Sequence, residues 1–521
     1  MGAKNPSPKQ ASDNGESLRR EVERLRRELD KAGERISRQQ ERISRQQEQI
    51  GKQQGRIAEQ EKQIGQLEKE LSGWRRNSTN SSKPPSSDGL AGPQRARCRK
   101  PDSKSKSKSK RKPGGQAGHP GHYRKLVEPS QVSETVVVLP EQCRGCGASF
   151  TKAAQADNRL GEPYRHQVVE LPPIQAHIIE YQCCQLQCTH CGTATKAALP
   201  DEFRSQTGPQ LTALVAYLTV VCRMPRRVTQ RFLEQAMGIS LSLGNTQSCW
   251  EQVSEAVAEP YAELEQKLPA ERVLNVDETS WRLNGEKRWI WAFVAHAFTF
   301  YVVAASRGAE VLETLLGAAF SGILCSDRLA TYLSYHKGKA QLCWAHLKRN
   351  LLAILEQDGD WQTQRFARDA LAQYAKLFRL WWKFREGKID RTQLIQRSLR
   401  IRRAFLNLAI RWWDCDHREV ANMANAIGQN FDKLFCFIDE PGVEPTNNVA
   451  ERKLRIAVQW RKTSFGNRSL AGTVATARLL TISQTCAQQD RPVLDYLGQA
   501  VRLHRQGLPA PSVYPGQVSA A

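Results

Sequence analysis

The first regular pattern along the chain is a seven-residue repeat of apolar positions over residues 16–72. Two adjacent copies of ERISRQQ, which begin at Glu34 and Glu41, show the period most clearly. One position of the heptad carries Val22, Leu29, Ile36, Ile43, Ile50, Ile57, Ile64 and Leu71. The partner position carries leucine or alanine at first and then glutamine. These are the a and d positions of a coiled coil, and β-branched residues at a favour two parallel strands.

We therefore expect a coiled coil over residues 16–72 that joins two chains into a homodimer. The alternative is a lone charged helix or a partly disordered segment, because each glycine inside the repeat costs about 1 kcal/mol of helix propensity. Residues 1–15 are predicted to be a disordered tail. Residues 73–130 are predicted to be a basic flexible linker, rich in serine, proline, glycine and lysine. Its lysines either hold phosphates without sequence preference or keep a solvated tether soluble.

Two Cys-x-x-Cys-Gly motifs mark the next segment: Cys143 with Cys146, and Cys188 with Cys191. Four thiolates in two such pairs suit a tetrahedral Zn²⁺ ion, and a full set of protein ligands makes that zinc structural. The strand-like stretches HQVVELP and AHIIEYQC lie between the pairs and predict a small β-rich zinc-binding module over residues 131–200. The alternatives are a redox-active pair or unliganded buried thiols.

Helical periodicity dominates residues 205–265. The stretches LTALVAYLTVV, RRVTQRFLEQAMGI and NTQSCWEQVSEAV carry it, and a break around residues 242–244 separates the second from the third. Helix, glycine-containing turn and helix is the outline of a helix-turn-helix, and an ordinary helical bundle shares that outline. We expect a helix-turn-helix-like domain, and no base-reading residue follows from the pattern.

Two short apolar runs further along each end in an aspartate, at Asp277 and Asp327. Between them, WIWAFVAHAFTFYVVAAS predicts two more strands, and a helix is expected around residues 311–316. Strand, hairpin, helix and strand is the start of an RNase H-like fold, in which the two aspartate strands are neighbours. Carboxylate oxygens suit Mg²⁺ or Mn²⁺, and two such ions about 4 Å apart support in-line phosphoryl displacement.

That chemistry needs a third carboxylate, and Glu451 is the candidate. The residues that share one face of its predicted helix are Asn448, Glu451, Arg452 and Arg455. A metal and phosphate site requires such a face. From the residues alone a structural role explains Glu451 equally well, because it has capping-box spacing from Asn448 and makes an i,i+4 pair with Arg455.

The stretch Cys343-Trp-Ala-His346-Leu-Lys-Arg349 lies between the second and third acids and enters a predicted helix. His346 and Arg349 are candidates for phosphate contact. The alternatives for the histidine are a core position or half of a Cys-His metal site, for which the sequence offers no evident other half. Residues 351–437 predict an inserted helical subdomain whose tryptophans belong to a core rather than to a base-stacking platform.

The net charge of +24 at pH 7 favours a polyanion as partner, with nucleic acid the first guess and membrane-surface and ribosome-associated proteins the competing classes. No apolar run approaches the ~20 residues that span a bilayer, and the N-terminus lacks the apolar core of a secretory signal. We therefore expect a soluble cytoplasmic protein with reduced thiols and no membrane partner.

Taken in order, the motifs resemble those of the transposases of insertion sequence family 66. The shared features are NSSKPPSSD at residues 80–88, GGQAGHPGH, the Cys-x-x-Cys pairs, Asp277-Glu-Thr, Asp327 with the Ala-Thr-Tyr ending at Tyr332, Cys-Trp-Ala-His and Asn447-Asn-Val-Ala-Glu-Arg. The last two motifs are specific, whereas the coiled coil is not. Many relatives have aspartate where this chain has Thr446, which leaves the role of that position open.

The resemblance implies a bacterial, nucleoid-associated transposase whose DDE triad falls on Asp277, Asp327 and Glu451. The triad would lie in an α/β RNase H-like domain over residues 270–480, followed by a C-terminal helix and tail over 481–521. The implied reaction is metal-dependent cleavage at the element's ends and strand transfer into target DNA. The implied partners are double-stranded DNA and accessory proteins of the element. The alternatives are a non-catalytic zinc and coiled-coil DNA-binding protein, such as a decayed transposase, and another RNase H-like nuclease.

Overall fold

The computed structural model of the chain describes residues 8–75, 125–151, 160–201, 204–356 and 361–515. The chain divides into two compact units. One comprises Met1–Ala96 and Lys348–Arg368, and the other comprises Arg97–Leu347 and Asp369–Ala521. Most of the predicted basic linker, at residues 76–124, lies outside the described residues.

A single helix, α1 (Pro8–Arg75), is the main element of the first unit. It begins at Pro8, before the predicted start at residue 16, because proline is tolerated in the first turn of a helix. No further proline interrupts the helix before Arg75. Ion pairs one turn apart lie on its surface, as between Lys52 and Glu48. Four residues of heptad position a remain about half exposed: Ile43, Ile50, Ile57 and Ile64. The coiled coil that would cover them stays a prediction.

Regular structure is sparse in the described part of residues 125–201. Strands β1 (Gln185–Gln187) and β2 (Ala194–Lys196) form an antiparallel pair around the second cysteine motif. The stretches HQVVELP and AHIIEYQC, which were predicted to be strands, have no regular secondary structure and no strand partner among the described residues. Their apolar side chains are open to solvent, Val168 at 80% and Ile178 at 86%. Without a partner strand to supply hydrogen bonds, apolar alternation alone does not make a sheet.

Four helices lead to the main sheet: α2 (Pro209–Val220), α3 (Arg226–Met237), α4 (Leu243–Ala256) and α5 (Ala258–Lys267). The three helices predicted from periodicity are present as α2, α3 and α4. Gly238, at φ 65°, ends α3 in the left-handed conformation, and the Ser242 side chain then caps α4. Ala216 and Val253 belong to the same hydrophobic core as the sheet, so these helices share a core with it.

Five strands form a mixed sheet in the order β5-β4-β3-β6-β7. Their bounds are β3 (Val273–Leu283), β4 (Glu286–Val294), β5 (Thr299–Ala304), β6 (Ile323–Ser326) and β7 (Ala340–Leu342). Strand β4 is antiparallel to β3 and β5, whereas β6 is parallel to β3 and β7. Helix α6 (Ala309–Leu316) connects β5 to β6, and α7 (Ala330–Tyr335) connects β6 to β7. The two strands predicted in WIWAFVAHAFTFYVVAAS are therefore present.

Helices follow β7: α8 (Trp344–Glu356), α9 (Trp361–Arg385), α10 (Arg391–Trp412), α11 (Arg418–Gln429) and α12 (Phe431–Asp439). The predicted helical stretch 351–437 is thus mainly helical and begins earlier, at Trp344, while its assignment as an inserted subdomain stays a prediction. Its two Trp-Trp pairs are divided by burial: Trp381 and Trp412 are in the core, at 4% and 7% exposed, whereas Trp382 and Trp413 are 58% and 60% exposed. The core interpretation of the tryptophans thus holds for one member of each pair.

Three helices complete the described chain: α13 (Asn448–Ser464), α14 (Leu470–Gln488) and α15 (Val493–Arg505). Helix α13 packs on β3 and β4, α14 packs on β5, and α15 packs on α2. Their core contains fully buried aromatic residues such as Trp281 and Phe293, each of which contributes about 1.5–3 kcal/mol by leaving water. None of the helices within the described residues has the length and apolar character needed to cross a membrane.

Candidate active site

Asp277 lies in the middle of β3. The sequence predicted it at the end of a strand, but β3 continues to Leu283, where Asn284 and Gly285 turn the chain with φ of 49° and 83°. Two left-handed residues are what a tight hairpin turn requires, and Asn-Gly supplies them. Burial alternates along the strand, so that Val276 faces the core and Asp277 faces the opposite side.

Asp327 follows β6 directly, as predicted. Strands β3 and β6 are parallel, and their last paired residues are Asn275 and Cys325. Asp277 lies two residues after Asn275, and Asp327 lies two residues after Cys325, just past the end of β6. The register therefore places the two aspartates beside each other at the end of the pairing. The backbone N–H of Leu329 donates to Asp327 Oδ1 at 2.9 Å and fixes this carboxylate at the turn into α7.

Glu451 lies in the first turn of α13. Asn447 rather than Asn448 occupies the N-cap position and makes no side-chain capping bond, and Glu451 lies one position beyond the third residue that a capping box uses. The capping-box alternative for Glu451 is therefore not formed. The Asn447 side-chain amide instead donates to the carbonyl of Val276 at 2.8 Å. This bond ties the start of α13 to β3 immediately beside Asp277.

The electrostatics of Asp277 connect the three acids. Burial raises the pKa of the Asp277 carboxyl well above its usual range, and the negative charges of Glu278, Asp327 and Glu451 raise it further. A hydrogen bond from the Glu278 backbone N–H, at 3.0 Å, opposes this shift. The charges of Asp327 and Glu451 therefore reach Asp277, but within the described residues the three carboxylates are not gathered into one cluster, so their shared metal site stays a prediction.

Glu278 has the opposite environment, and sequence reasoning missed it. It lies on the core face of β3 with its side chain 1% exposed, and Arg307 Nε donates to its Oε1 at 2.5 Å. The hydroxyl of Tyr332 donates to its Oε2. The signal was present, because strand alternation puts Glu278 on the same face as Val276, and a buried carboxylate needs a cationic or hydrogen-bonding partner. Glu278 thus anchors the back of the strand that carries Asp277.

The residues at this site fit a hard divalent cation. Two side-chain amide oxygens, Asn275 Oδ1 and Asn447 Oδ1, are buried and have no hydrogen-bond partner among the described residues. Asn275 lies two residues before Asp277 and therefore on the same face of β3. Buried acceptor oxygens next to carboxylates are the donor set that Mg²⁺ or Mn²⁺ prefers, directly or through bound water.

The predicted phosphate contacts are distributed over two helices. His346 lies in the first turn of α8, where its Nδ1 is 3.5 Å from Glu451 Oε1, and Arg349 follows one turn later. Asn448 is the first residue of α13 and is half-buried, whereas Arg452 and Arg455 are exposed on that helix. The histidine is therefore a neighbour of the third acid, and the two exposed arginines are available to a phosphate backbone.

The two cysteine motifs form matching turns. Cys143 N donates to Ala148 O and Gly147 N to Cys143 O, and the same two bonds recur between Cys188, Gly192 and Thr193, all at 2.9 Å. Backbone hydrogen bonds from Cys146 lower the pKa of the Cys143 thiol, and Thr193 lowers the pKa of Cys191. Such turns suit thiolate ligands, yet within the described residues the four sulfurs are not gathered into one cluster. The four-cysteine zinc site remains a prediction.

The fold defines a multidomain protein with a mixed sheet and a helical C-terminal part, in which Asp277 and Asp327 lie on and directly after neighbouring strands of the sheet. A family model described as Transposase IS66 family matches residues 204–475, more than half of the chain. The chain belongs to the IS66 transposase family. A second model, a family of unknown function named DUF6444, matches residues 4–125. The uncharacterized protein y4qI of Sinorhizobium fredii is 27% identical over 253 residues, which are 44% of this chain and 46% of that protein. The chain thus matches about half the length of this curated relative.

Proposed function

We propose that this chain is a DNA transposase that cleaves the ends of its element and joins the cut strands to target DNA. Its core is RNase H-like, and Asp277, Asp327 and Glu451 hold two Mg²⁺ or Mn²⁺ ions. The observation that carries the proposal is the parallel register of β3 and β6, which places Asp277 and Asp327 at the same end of the pairing, with the start of the Glu451 helix bonded to β3 through Asn447. Membership of the family and the strand order β5-β4-β3-β6-β7 support it.

The bound ions would supply activation of the attacking oxygen and stabilisation of the leaving oxygen in an in-line phosphoryl displacement. The side chains hold the site in place. Leu329 N–H orients Asp327, and the Glu278 N–H orients Asp277. Burial and acidic neighbours raise the pKa of Asp277, so its carboxyl would release a proton on binding a cation that it holds. Asn447 keeps the helix of Glu451 against β3.

DNA is the proposed partner, at both the element ends and the target. The charge of +24 favours it, and exposed Arg452 and Arg455 lie on the helix of Glu451, where they would contact phosphates. His346, Arg349 and Asn448 are proposed to line the same DNA path. The remaining parts have supporting roles: the α1 coiled coil dimerises the chain, Cys143, Cys146, Cys188 and Cys191 bind structural Zn²⁺, and α3 with α4 forms a helix-turn-helix-like unit. Accessory proteins of the element would complete the reaction.

Three conservative variants test the catalytic site: Asp277→Asn, Asp327→Asn and Glu451→Gln. The substrate is duplex DNA that carries the terminal sequences flanking this chain's own coding region, incubated with Mg²⁺ and a plasmid target. We expect each variant to lose more than about 100-fold in cleavage and strand transfer, because a metal ligand is lost, while end binding is retained. Glu444→Gln is the matched control, because the same chemical change falls seven residues earlier, on a residue that forms an exposed ion pair with Arg385.

The same assay separates the competing functions. Cleavage without joined product would identify a nuclease of the same fold. End binding without metal-dependent cleavage by the unaltered chain would identify a non-catalytic DNA-binding protein. Equal cleavage by the unaltered chain and by Asp277→Asn would overturn the assignment of the acids.

A further inference from the structure

Three ligand-type side chains converge beside the proposed catalytic acids. The Cys343 sulfur, a ring nitrogen of His346 and a carboxylate oxygen of Glu451 all lie within 4.8 Å of one another. Cys343 and His346 have i,i+3 spacing at the start of α8, which puts both on one side of its first turn. Glu451 comes from the first turn of α13. In the sequence, Cys343 and His346 had no evident further ligand. In the tertiary structure, Glu451 supplies one.

The backbone holds the two helix starts together. Trp344 N donates to Pro445 O at 3.0 Å, and Asn447 N donates to the Cys343 sulfur at 3.2 Å. Trp344 is fully buried, with Phe405 and Phe435 at ring distances of 5.2 and 5.4 Å. The thiol is 1% exposed and belongs to this packed region. The three ligands are therefore mounted on a fixed framework rather than on loops.

The chemistry of the set differs from that of the acidic site. A thiolate, an imidazole and a carboxylate are ligands of Zn²⁺ and similar ions, whereas Mg²⁺ prefers oxygen alone. Tetrahedral Zn²⁺ with bonds of about 2.0–2.3 Å places its ligand atoms roughly 3.3–3.8 Å apart. The separation of His346 Nδ1 and Glu451 Oε1, 3.5 Å, already falls in that range. The Cys343 sulfur lies within 4.8 Å of both other ligand atoms, which is close to that range.

We propose that Cys343, His346 and Glu451 bind one thiophilic divalent ion of the Zn²⁺ type, and that this ion inhibits the enzyme by taking Glu451 away from the catalytic ions. Cys343 releases its proton to solvent as the metal–sulfur bond forms. The inhibitory part rests on the proposed function, since it requires Glu451 to be a catalytic ligand. The binding part does not.

Zinc content tests the binding part directly. The full chain, its Cys343→Ser and His346→Gln variants, and the control Cys436→Ser are loaded with ZnCl₂, dialysed against metal-free buffer and measured by elemental analysis. We expect both site variants to hold about one Zn²⁺ per chain less than the unaltered protein, and the control to match it. Cys436 is likewise a buried cysteine, on α12, so the control carries the same substitution outside the cluster. The two Cys-x-x-Cys motifs are unchanged in every variant, so any zinc that they bind cancels when the zinc contents are subtracted.

A Co²⁺ titration of the zinc-dialysed proteins gives a second reading. The unaltered chain should show a sulfur-to-cobalt absorption band that Cys343→Ser lacks, and circular dichroism establishes that the variant is folded. Equal zinc content and equal cobalt spectra in folded Cys343→Ser and in the unaltered chain would overturn the site.

Inhibition is measured on cleavage at fixed Mg²⁺ with added ZnCl₂. We expect the unaltered chain to lose at least about tenfold in rate, because a nitrogen and sulfur site holds Zn²⁺ more tightly than Mg²⁺. Expressed relative to its own zinc-free rate, Cys343→Ser should lose much less. Zinc bound without inhibition would overturn the sharing of Glu451. Failure of the unaltered chain to cleave at all would instead reject the proposed function, and the zinc content would still decide the binding site.

Discussion

Two adjacent carboxylates on β3 show how a single residue step divides structural from chemical roles. Glu278 faces the core and is paired with Arg307 and Tyr332. Asp277 faces the other side, where its neighbours are acids and its pKa is raised by burial and by their charge. Burial raises the pKa of Glu278 as well, but hydrogen bonds from Tyr332 and Arg307 oppose that shift, whereas like charges add to the shift at Asp277, where a cation would relieve them. Asp277 is therefore suited to bind a metal and Glu278 is suited to hold the strand.

Opposite stability effects of Asp277→Asn and Glu278→Gln are the expected consequence. In EDTA the raised pKa means that folded Asp277 retains a proton which the unfolded chain releases, so the free energy of unfolding falls as pH rises above the ordinary aspartate range. Asp277→Asn should remove this fall and raise the unfolding midpoint at neutral pH. Glu278→Gln should lower stability by about 1–3 kcal/mol, because Arg307 loses its charged partner.

Thermal unfolding of the full chain in EDTA, followed as the pH is raised from the ordinary aspartate range through neutral, checks both signs. Added Mg²⁺ should raise the midpoint of the unaltered chain and not that of Asp277→Asn. A lower midpoint for Asp277→Asn in EDTA would mean that its carboxylate is stabilised by the fold, contrary to the electrostatic argument.

At the scale of elements, the turn after β3 is held by a residue that follows α13. The side-chain oxygen of Asn467 accepts a hydrogen bond from the fully buried Trp281 Nε1 at 2.7 Å. Its amide donates to Gly472 O and to Thr476 Oγ1, and its backbone carbonyl accepts from Asn284 N. One side chain thus connects the hairpin, the end of α13 and the start of α14. The helix that carries Glu451 is fastened to the sheet at both of its ends.

Asn467→Ala should cost about 1–3 kcal/mol of stability, because it leaves the buried indole N–H of Trp281 without an acceptor. Asn467→Asp keeps that acceptor, so its stability should lie between that of Asn467→Ala and that of the unaltered chain. Asn422→Ala, on an exposed position of α11, should change stability by less than about 0.5 kcal/mol. Urea unfolding of the three variants measures the order, and equal midpoints for Asn467→Ala and Asn422→Ala would contradict this role.

What the sequence could predict at this scale depended on the range of the interactions. Strands β4 and β5, the helices before the sheet and the position of Asp327 follow from local periodicity. Strand β7 has three residues and exists only because β6 pairs with it. The end of β3 was placed too early, since Asn284-Gly285 is the turn signal and Asp277 is not. The role of Asn447 could not be predicted, because its partner Val276 lies 171 residues away along the chain.

At the scale of the whole molecule, charge and the long N-terminal helix determine what the chain can assemble with. A net charge of +24 opposes self-association by repulsion, so a stable dimer needs an apolar seam to offset it. In the proposed coiled coil this seam would be formed by the isoleucines at heptad position a, of which Ile43, Ile50, Ile57 and Ile64 are about half exposed on the single chain. Paired in a parallel coiled coil, they would bring two catalytic cores onto two DNA ends.

Ile43→Lys combined with Ile57→Lys should convert the proposed dimer to a monomer. Each helix of the coiled coil would then bury two lysine charges against the same charges of its partner. The matched control is Ser44→Lys with Ala58→Lys, which adds the same charges one residue further along the helix, at outward-facing heptad positions. Sedimentation equilibrium of the full chains at moderate salt gives the masses. The control should keep the mass of two chains, while the isoleucine variant should have the mass of one chain. In the isoleucine variant, strand transfer should fall more than the binding of a single DNA end. A monomeric unaltered chain, or equal masses for the two double variants, would exclude the isoleucine seam as the source of the dimer.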